Sequence, residues 1–567
     1  MSPIHSLPVE LLSRVFVLGL PDDEYPRFPP LGVPDFGVLV SHICQQWREI
    51  ALHTPMLWTT VHFRTVPHMD RAKHYLQRGH RHLIDILVDT CALEEHTPGY
   101  TIFREEFMPV FYMLIPHIKR WRSLSLKVRD LKCKIGARTA LSTCGPAPAL
   151  EYLKLWHVEH WDSPERLYTQ IGPPPVVVFD KSLPSLKHIN LIGVNLPWKH
   201  SPFLEDVSSI NLGLHSDNVR IPYDLWAHML STSPDLEKLS LHYSGPRMEG
   251  PDWPADVITL PNLHEITLKD LDLTYLMELF RRLSMPLVSR LQLQLSGSDF
   301  APFLQYLADP PAPPKDVKDK TQAKETARGS VFPVLDTLVI KALECSAESF
   351  QKFLQCCKTV KKLEIGKAKI GDGLLEELMP KQHDELHVAQ DKDKQWAPLH
   401  DARKLTGVTS LVPSGSGSRE SSTDSDLSSS SVSLSTAKTT PSSEYSSLSS
   451  RPYPDIPLPE LHTVRWSRFP SESLRSYIQF RRARGRPVKC WVVHERLRDA
   501  EMETMADEMR KLGGDEKIVW FSRNEEEEEE EEEEAEDEGS EYDEEESYSE
   551  DEVEDADEDG DDAADDE

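Results

Sequence analysis

Between residues 121 and 466 the chain repeats one hydrophobic arrangement: an apolar residue, a second three positions on, and a third two beyond that. It occurs at Trp121/Leu124/Leu126, Leu150/Leu153/Leu155, Leu186/Ile189/Leu191, Val207/Ile210/Leu212 and Leu236/Leu239/Leu241. It continues at Leu263/Ile266/Leu268, Val288/Leu291/Leu293, Leu335/Leu338/Ile340, Val360/Leu363/Ile365 and Leu461/Val464/Trp466. The second and third positions are two residues apart, so on an extended backbone they share a face. Each copy predicts a short strand with one buried side and one open side. Several copies follow a proline turn, as in "LPSLKHINL", "SPDLEKLSL" and "LPNLHEITL".

The spacing turns the copies into an array. Successive copies begin 29, 36, 21, 29, 27, 25, 47, 25 and 101 residues apart. The two long intervals contain stretches unable to bury enough apolar surface to offset their ordering entropy. One is "PPAPPKDVKDKTQAKETARGS" at 310–330; the other runs from about 382 to 454 and holds 18 serines between 414 and 450. Without them both intervals return to roughly 26–31 residues, close to the ~20–29 of a leucine-rich repeat. L-x-x-L-x-L is the strand-bearing half of that repeat, and "DLTYLMELFRRL" after the sixth copy predicts a helix closing the core from the opposite side. No single repeat can bury its apolar face alone, so the expected fold is α/β: a stacked solenoid. The asparagine ladder of regular arrays is absent, which predicts irregular curvature.

The first sixty residues follow a different period. In "LPVELLSRVF" the residues Leu11, Leu12, Val15 and Phe16 make an apolar stripe at helical spacing, with Pro8 tolerated in the first turn. In "LVSHICQQWREIALHTPMLW" the residues Leu39/Val40, Ile43/Cys44, Trp47 and Ile50/Ala51 keep helical phase for roughly four turns. Thr54-Pro55 ends that helix, and Leu57 and Trp58 fold back.

Charge changes the picture only at the end of the chain. The formal net charge is -32, but 31 of the 95 acidic residues lie between Glu525 and Glu567, leaving 64 against 63 basic residues. The near-neutral body argues against nucleic-acid binding. Eight scattered cysteines with no C-x-x-C pair suit a reducing compartment, the cytoplasm or nucleus. The N-terminus carries no secretory signal pattern, and no run approaches the ~20 apolar residues of a membrane span. The tail suits either simple solvation or engagement of basic proteins, and Ser540, Ser547, Ser549, Ser421 and Thr423 each have an acidic residue at +3. No phosphate loop, nucleophile elbow or zinc-protease motif is present, so no catalysis and no cofactor are expected.

Residues 5–58 resemble an F-box. "LPVELLSRVF" is similar to its Leu-Pro-x-Glu-Leu-Leu-x-x-Ile-Phe opening, and the second stretch is similar to its Val-Ser-x-Val-Cys-x-x-Trp-Arg-x-Ile-Ala-x-x-Thr-Pro-x-Leu-Trp close. The proline-rich insertion "GLPDDEYPRFPPLGVPDFG" at 19–37 resembles the longer variant of mushroom-forming fungi. The resemblance implies a small helical F-box followed by an irregular leucine-rich-repeat solenoid, with disordered inserts and an acidic tail. It implies a non-enzymatic substrate receptor that binds the Skp-type adaptor and cullin scaffold of a ubiquitin ligase and carries an unknown protein substrate. By carry-over, Leu7, Pro8, Leu11, Leu12 and Val15 face the adaptor, with Val40, Cys44 and Trp47 in or beside that contact. The alternative is a leucine-rich, acidic-tailed histone- or phosphatase-binding nuclear protein.

The expected boundaries are 1–62 for the F-box, 63–309 for the first part of the solenoid and 310–330 for a disordered linker. Residues 331–381 continue the solenoid, 382–454 form the serine-rich insert, 455–523 the last repeat and its cap, and 524–567 the tail. Three smaller motifs carry possible chemistry. "RARGRP" at 482–487 suits either a minor-groove arginine hook or a helix-to-strand turn. His383 and His387 share one helical face but lack further ligands nearby. Cys356 and Cys357 read as buried thiols.

Overall fold

The computed structural model describes residues 4, 7–21, 34–157, 175–201, 203–248, 253–310, 330–366, 457–466, 471–512 and 516–521. All of these belong to one compact unit, spanning 1–378 and 457–567; a second unit, Met379–Ile456, falls outside the described residues. The inserts at 311–329 and 382–454, the tail, His383 and His387 likewise lie outside them.

Every apolar triplet marks a strand. The chain forms β1 (Thr60–Phe63), β2 (Ile84–Asp89), β3 (Trp121–Val128), β4 (Tyr152–His157), β5 (His188–Ile192), β6 (Ser209–Gly213) and β7 (Lys238–His242). It continues through β8 (Ile258–Thr259), β9 (Glu265–Lys269), β10 (Leu283–Ser284), β11 (Arg290–Leu295), β12 (Thr337–Leu343) and β13 (Lys362–Ile365). The last are β14 (Thr463–Trp466), β15 (Cys490–His494) and β16 (Lys517–Phe521). Among the described residues β8 and β10 pair with each other, and the other fourteen make one sheet whose neighbours follow chain order. All its neighbouring pairs are parallel, so the protein is mixed α/β with a long parallel sheet.

Register explains the spacing. Val61, Ile86, Leu124, Leu153, Ile189, Ile210 and Leu239 pair rung to rung, and the column continues through Ile266, Leu291, Leu338, Leu363, Val464, Trp491 and Ile518. All but Ile518 are buried. Each such side chain contributes about 1.5–3 kcal/mol of burial, and one column stabilises the next. The alternate positions, such as Tyr152, Lys154, Asn190 and Gln292, lie on the open face and are partly exposed. There Lys127 and Lys154 place their ammonium groups 4.0 and 4.9 Å from the Trp156 ring centre.

Helices close the other side: α1 (Val9–Leu18), α2 (Phe36–Ser41), α3 (Gln45–Leu52), α4 (Pro67–Arg78), α5 (Arg104–Leu114) and α6 (Leu131–Thr143). Then come α7 (Tyr223–Ser231), α8 (Leu273–Phe280), α9 (Ala301–Ala308), α10 (Ala347–Cys356), α11 (Ser471–Ala483) and α12 (Ala500–Leu512). Helix α8 is the one expected after the sixth triplet; Asp272 caps it by accepting from Thr274 and Tyr275. Among the described residues no helix is long and apolar enough to cross a membrane.

Three expectations need correction. The expected boundary at residue 62 cuts through β1, which is the first rung of the sheet, so the N-terminal helices run straight into it. The four-turn helix at 39–51 is two helices, because Cys44 is extended (φ -159°, ψ 171°) and its Sγ accepts from Trp47 N to cap α3. Of the paired thiols only Cys357 is buried; Cys356 is exposed. The 482–487 segment is the turn that ends α11: Gly485 is left-handed (φ +67°), and Arg486 N donates to Arg481 O. Glycine takes that conformation without strain, and Pro487 bars further helix.

Candidate docking surface

Helix α1 has two apolar sides, and among the described residues only one is packed against its own chain. Leu12 and Phe16, one turn apart, are buried. Phe16 packs 5.0 Å from the Trp47 ring, and Ser13 Oγ bonds Thr54 Oγ1 at 2.8 Å. On the neighbouring side Leu11, Val15 and Leu18 are 51%, 49% and 75% exposed. Their spacing of four and three places them in one row along the helix. Leu39 in α2 and Ile43 in the link that follows it are 44% and 64% exposed. A surface helix ordinarily shows solvent its polar face. This one shows it a row of aliphatics.

Beneath the row the helices are held tightly. Trp58, in the turn Pro55–Trp58, donates from Nε1 to Ala51 O at 2.8 Å and is fully buried. Its ring meets Tyr75 of α4 edge-on at 5.0 Å. The Tyr75 hydroxyl donates to Asp35 Oδ2 at 2.8 Å, and Arg71 Nη1 stands 3.4 Å from the same oxygen. Arg71 also donates to His62 Nε2 on β1. Asp35, the residue before α2, thus uses its carboxylate to tie that helix to α4 and β1 rather than to cap it. Burial, with help from Arg71, lowers His62 to about 3 and His68 to about 4, so both are neutral at pH 7. Burial and the Asp35 charge push the Tyr75 phenol well above its usual range.

The sequence-based site residues therefore divide. Leu11, Val15 and Pro8 are exposed, and Leu7 is half-buried beside them. Leu12 and Val40 are buried against their own chain in the free protein. Adjacent leucines point about 100° apart on a helix, and the self-packing side takes Leu12 while Leu11 stays at its exposed margin. Cys44 and Trp47 are half-buried supports; the Trp47 Nε1 is enclosed without an acceptor among the described residues. Sequence reasoning omitted Leu18, Leu39 and Ile43. The i+7 spacing of Leu18 from Leu11 and the i+4 spacing of Ile43 from Leu39 carried that signal.

No protein-family model matches the chain, and no curated protein matches it.

Proposed function

We propose that the chain is a substrate receptor of an F-box ubiquitin ligase, docking a Skp-type adaptor on the outer row of α1 and carrying a protein substrate on a leucine-rich-repeat solenoid. The observation that carries this reading is the exposed row Leu11, Val15 and Leu18 on a helix that packs Leu12 and Phe16 against its own chain. Exposed aliphatics in a continuous row are the anchors protein interfaces use.

The architecture suits the task. A receptor must hold its cargo at a fixed distance from the ligase, which requires a stiff junction between docking helices and cargo-binding face. The Asp35, Arg71, Tyr75 and His62 network, with Trp58 beneath it, supplies that junction. Cargo then meets the open face of the sheet, where Tyr152, Lys154, Trp156, Lys238, Glu265 and Arg290 offer mixed charge and two aromatic rings.

The test is titration of purified full-length chain with recombinant Skp-type adaptor. Wild type binds and Leu11→Asp does not. A folded wild type that fails to bind removes the function. Binding of histones by a chain indifferent to the adaptor would favour the acidic-tailed alternative, which has no use for the α1 row.

A further inference from the structure

Elsewhere on the sheet, arginines meet carboxylates. Arg122 engages both oxygens of Asp85, and Arg64 and Arg129 share Asp89. The loops at one end of β2 and β3 are different. The loops entering β2 and β3, "RGHRHL" (78–83) and "PHIKR" (116–120), bring Arg78, Arg81, Lys119 and Arg120 with three histidines and no acidic residue. Among the described residues those four cations form no ion pair.

Between the loops lies an open depression whose walls include Pro55 and Leu76 and whose rim includes His80, Arg81, His117 and Arg120. Arg120 is fixed there, its Nε donating to His82 O at 2.8 Å. Its Nη2 is enclosed with no hydrogen-bond partner among the described residues. Burial lowers the Arg120 guanidinium from its usual range, and burial followed by the Arg120 charge lowers His117. His80 turns the chain into the rim through a left-handed backbone (φ +40°), an uncommon conformation for a residue with a Cβ. A partly desolvated guanidinium without a counter-charge is costly, and an arriving anion recovers that cost.

We propose that this depression is a binding site for a phosphate monoester dianion. The exposed Arg81 fork, the remaining Arg120 Nη1 and the neighbouring imidazoles match a tetrahedral anion with several acceptor oxygens better than a single carboxylate. The apolar walls at Pro55 and Leu76 receive the carbon stem of the ester. The site does not depend on adaptor binding, since the α1 row contributes none of its residues.

The experiment is calorimetric titration of the full-length chain with inorganic phosphate and, separately, with N-acetyl-phosphoserine amide, at ionic strength matched with chloride. Saturable binding to wild type is expected, with affinity reduced at least tenfold by Arg81→Gln and Arg120→Gln together. Arg484→Gln with Arg486→Gln, which removes the same charge from another helix-to-strand loop, leaves affinity unchanged. If the Arg120 variant does not fold, Arg81→Gln alone decides, because that side chain is exposed; a loss of at least threefold is expected. A phosphoserine derivative binding at least fivefold tighter than phosphate identifies a modified protein side chain as the ligand; equal affinities identify a free phosphate. Unsaturable binding to wild type, or the double variant binding within twofold of it, overturns the proposal.

Discussion

Leu11 and Leu12 are neighbours in sequence with opposite fates, and substituting each in turn separates docking from folding. Leu12 is fully buried; truncating such a leucine to alanine costs about 2–5 kcal/mol from lost burial and the cavity left behind. Leu11 is half exposed and sits at the third position of α1. An aspartate there loses roughly 0.5 kcal/mol of helix propensity and recovers a similar amount from the positive end of the helix dipole. The free protein should therefore melt within about 1–2 °C of wild type. In the proposed adaptor complex the balance differs. Covering the remaining half of the leucine contributes about 1 kcal/mol, so Leu11→Ala weakens adaptor binding roughly fivefold. Leu11→Asp adds the desolvation of an unpaired carboxylate, several kcal/mol, and weakens it more than about 100-fold. Thermal melts and adaptor calorimetry on the three variants read both effects. The reasoning fails if Leu11→Asp lowers the melting temperature as far as Leu12→Ala does, or if it binds adaptor within threefold of wild type.

Three further outcomes are expected. His62, His157 and His215 are buried and held at about 3 against 6.5 in the unfolded chain, so their stabilisation is complete above pH 6.5 and lost as pH falls towards 3. At pH 5 each costs about 2 kcal/mol; a melting temperature that stays flat from pH 7 to 5 contradicts this. Asp35→Ala leaves the Tyr75 hydroxyl and Arg71 without their acceptor and costs about 1–3 kcal/mol, seen as faster amide exchange across 36–52; unchanged exchange there would remove the stiff junction. Replacing 312–328 with Gly-Ser leaves the melting temperature unchanged or raised, because Val331 N and Ser330 Oγ already bond Leu307 O at 2.9 and 3.2 Å across the base of that insert. A drop beyond about 5 °C would show the insert to be structural.

The strands were legible because two-residue alternation and parallel register are one fact seen twice: residues that share a face also share a column. The first two rungs escaped notice although the pattern is present, at Trp58/Val61/Phe63 and Leu83/Ile86/Val88. Trp58 had been assigned to the closing turn of the helical module; in the structure it serves both, and the border between the two patterns dissolves there. The break at Cys44 was invisible for a related reason. A three-residue link, His42 to Cys44, between two short helices keeps the apolar positions nearly in phase, so periodicity registers a single helix. The docking row was half legible. A helical stripe two residues wide tells that one face is packed, and only the surrounding contacts reveal which leucine the chain keeps for itself.

The strand β16 leaves one margin of the long sheet without a described neighbour, with Val519 partly exposed. A stack built from near-equivalent layers has no internal rule for where to stop, and its free margin is a template on which another molecule could continue the series. Growth of that sort would be head-to-tail and would not close, which is the route to fibres. Within four residues of Phe521 the sequence becomes a run of glutamates. A copy added there would have to pack beside that polyanion, and two such margins brought face to face would set one polyanion against the other, a repulsion that fades as salt rises. The acidic tail would then act as an electrostatic full stop, keeping a self-similar protein to a single copy.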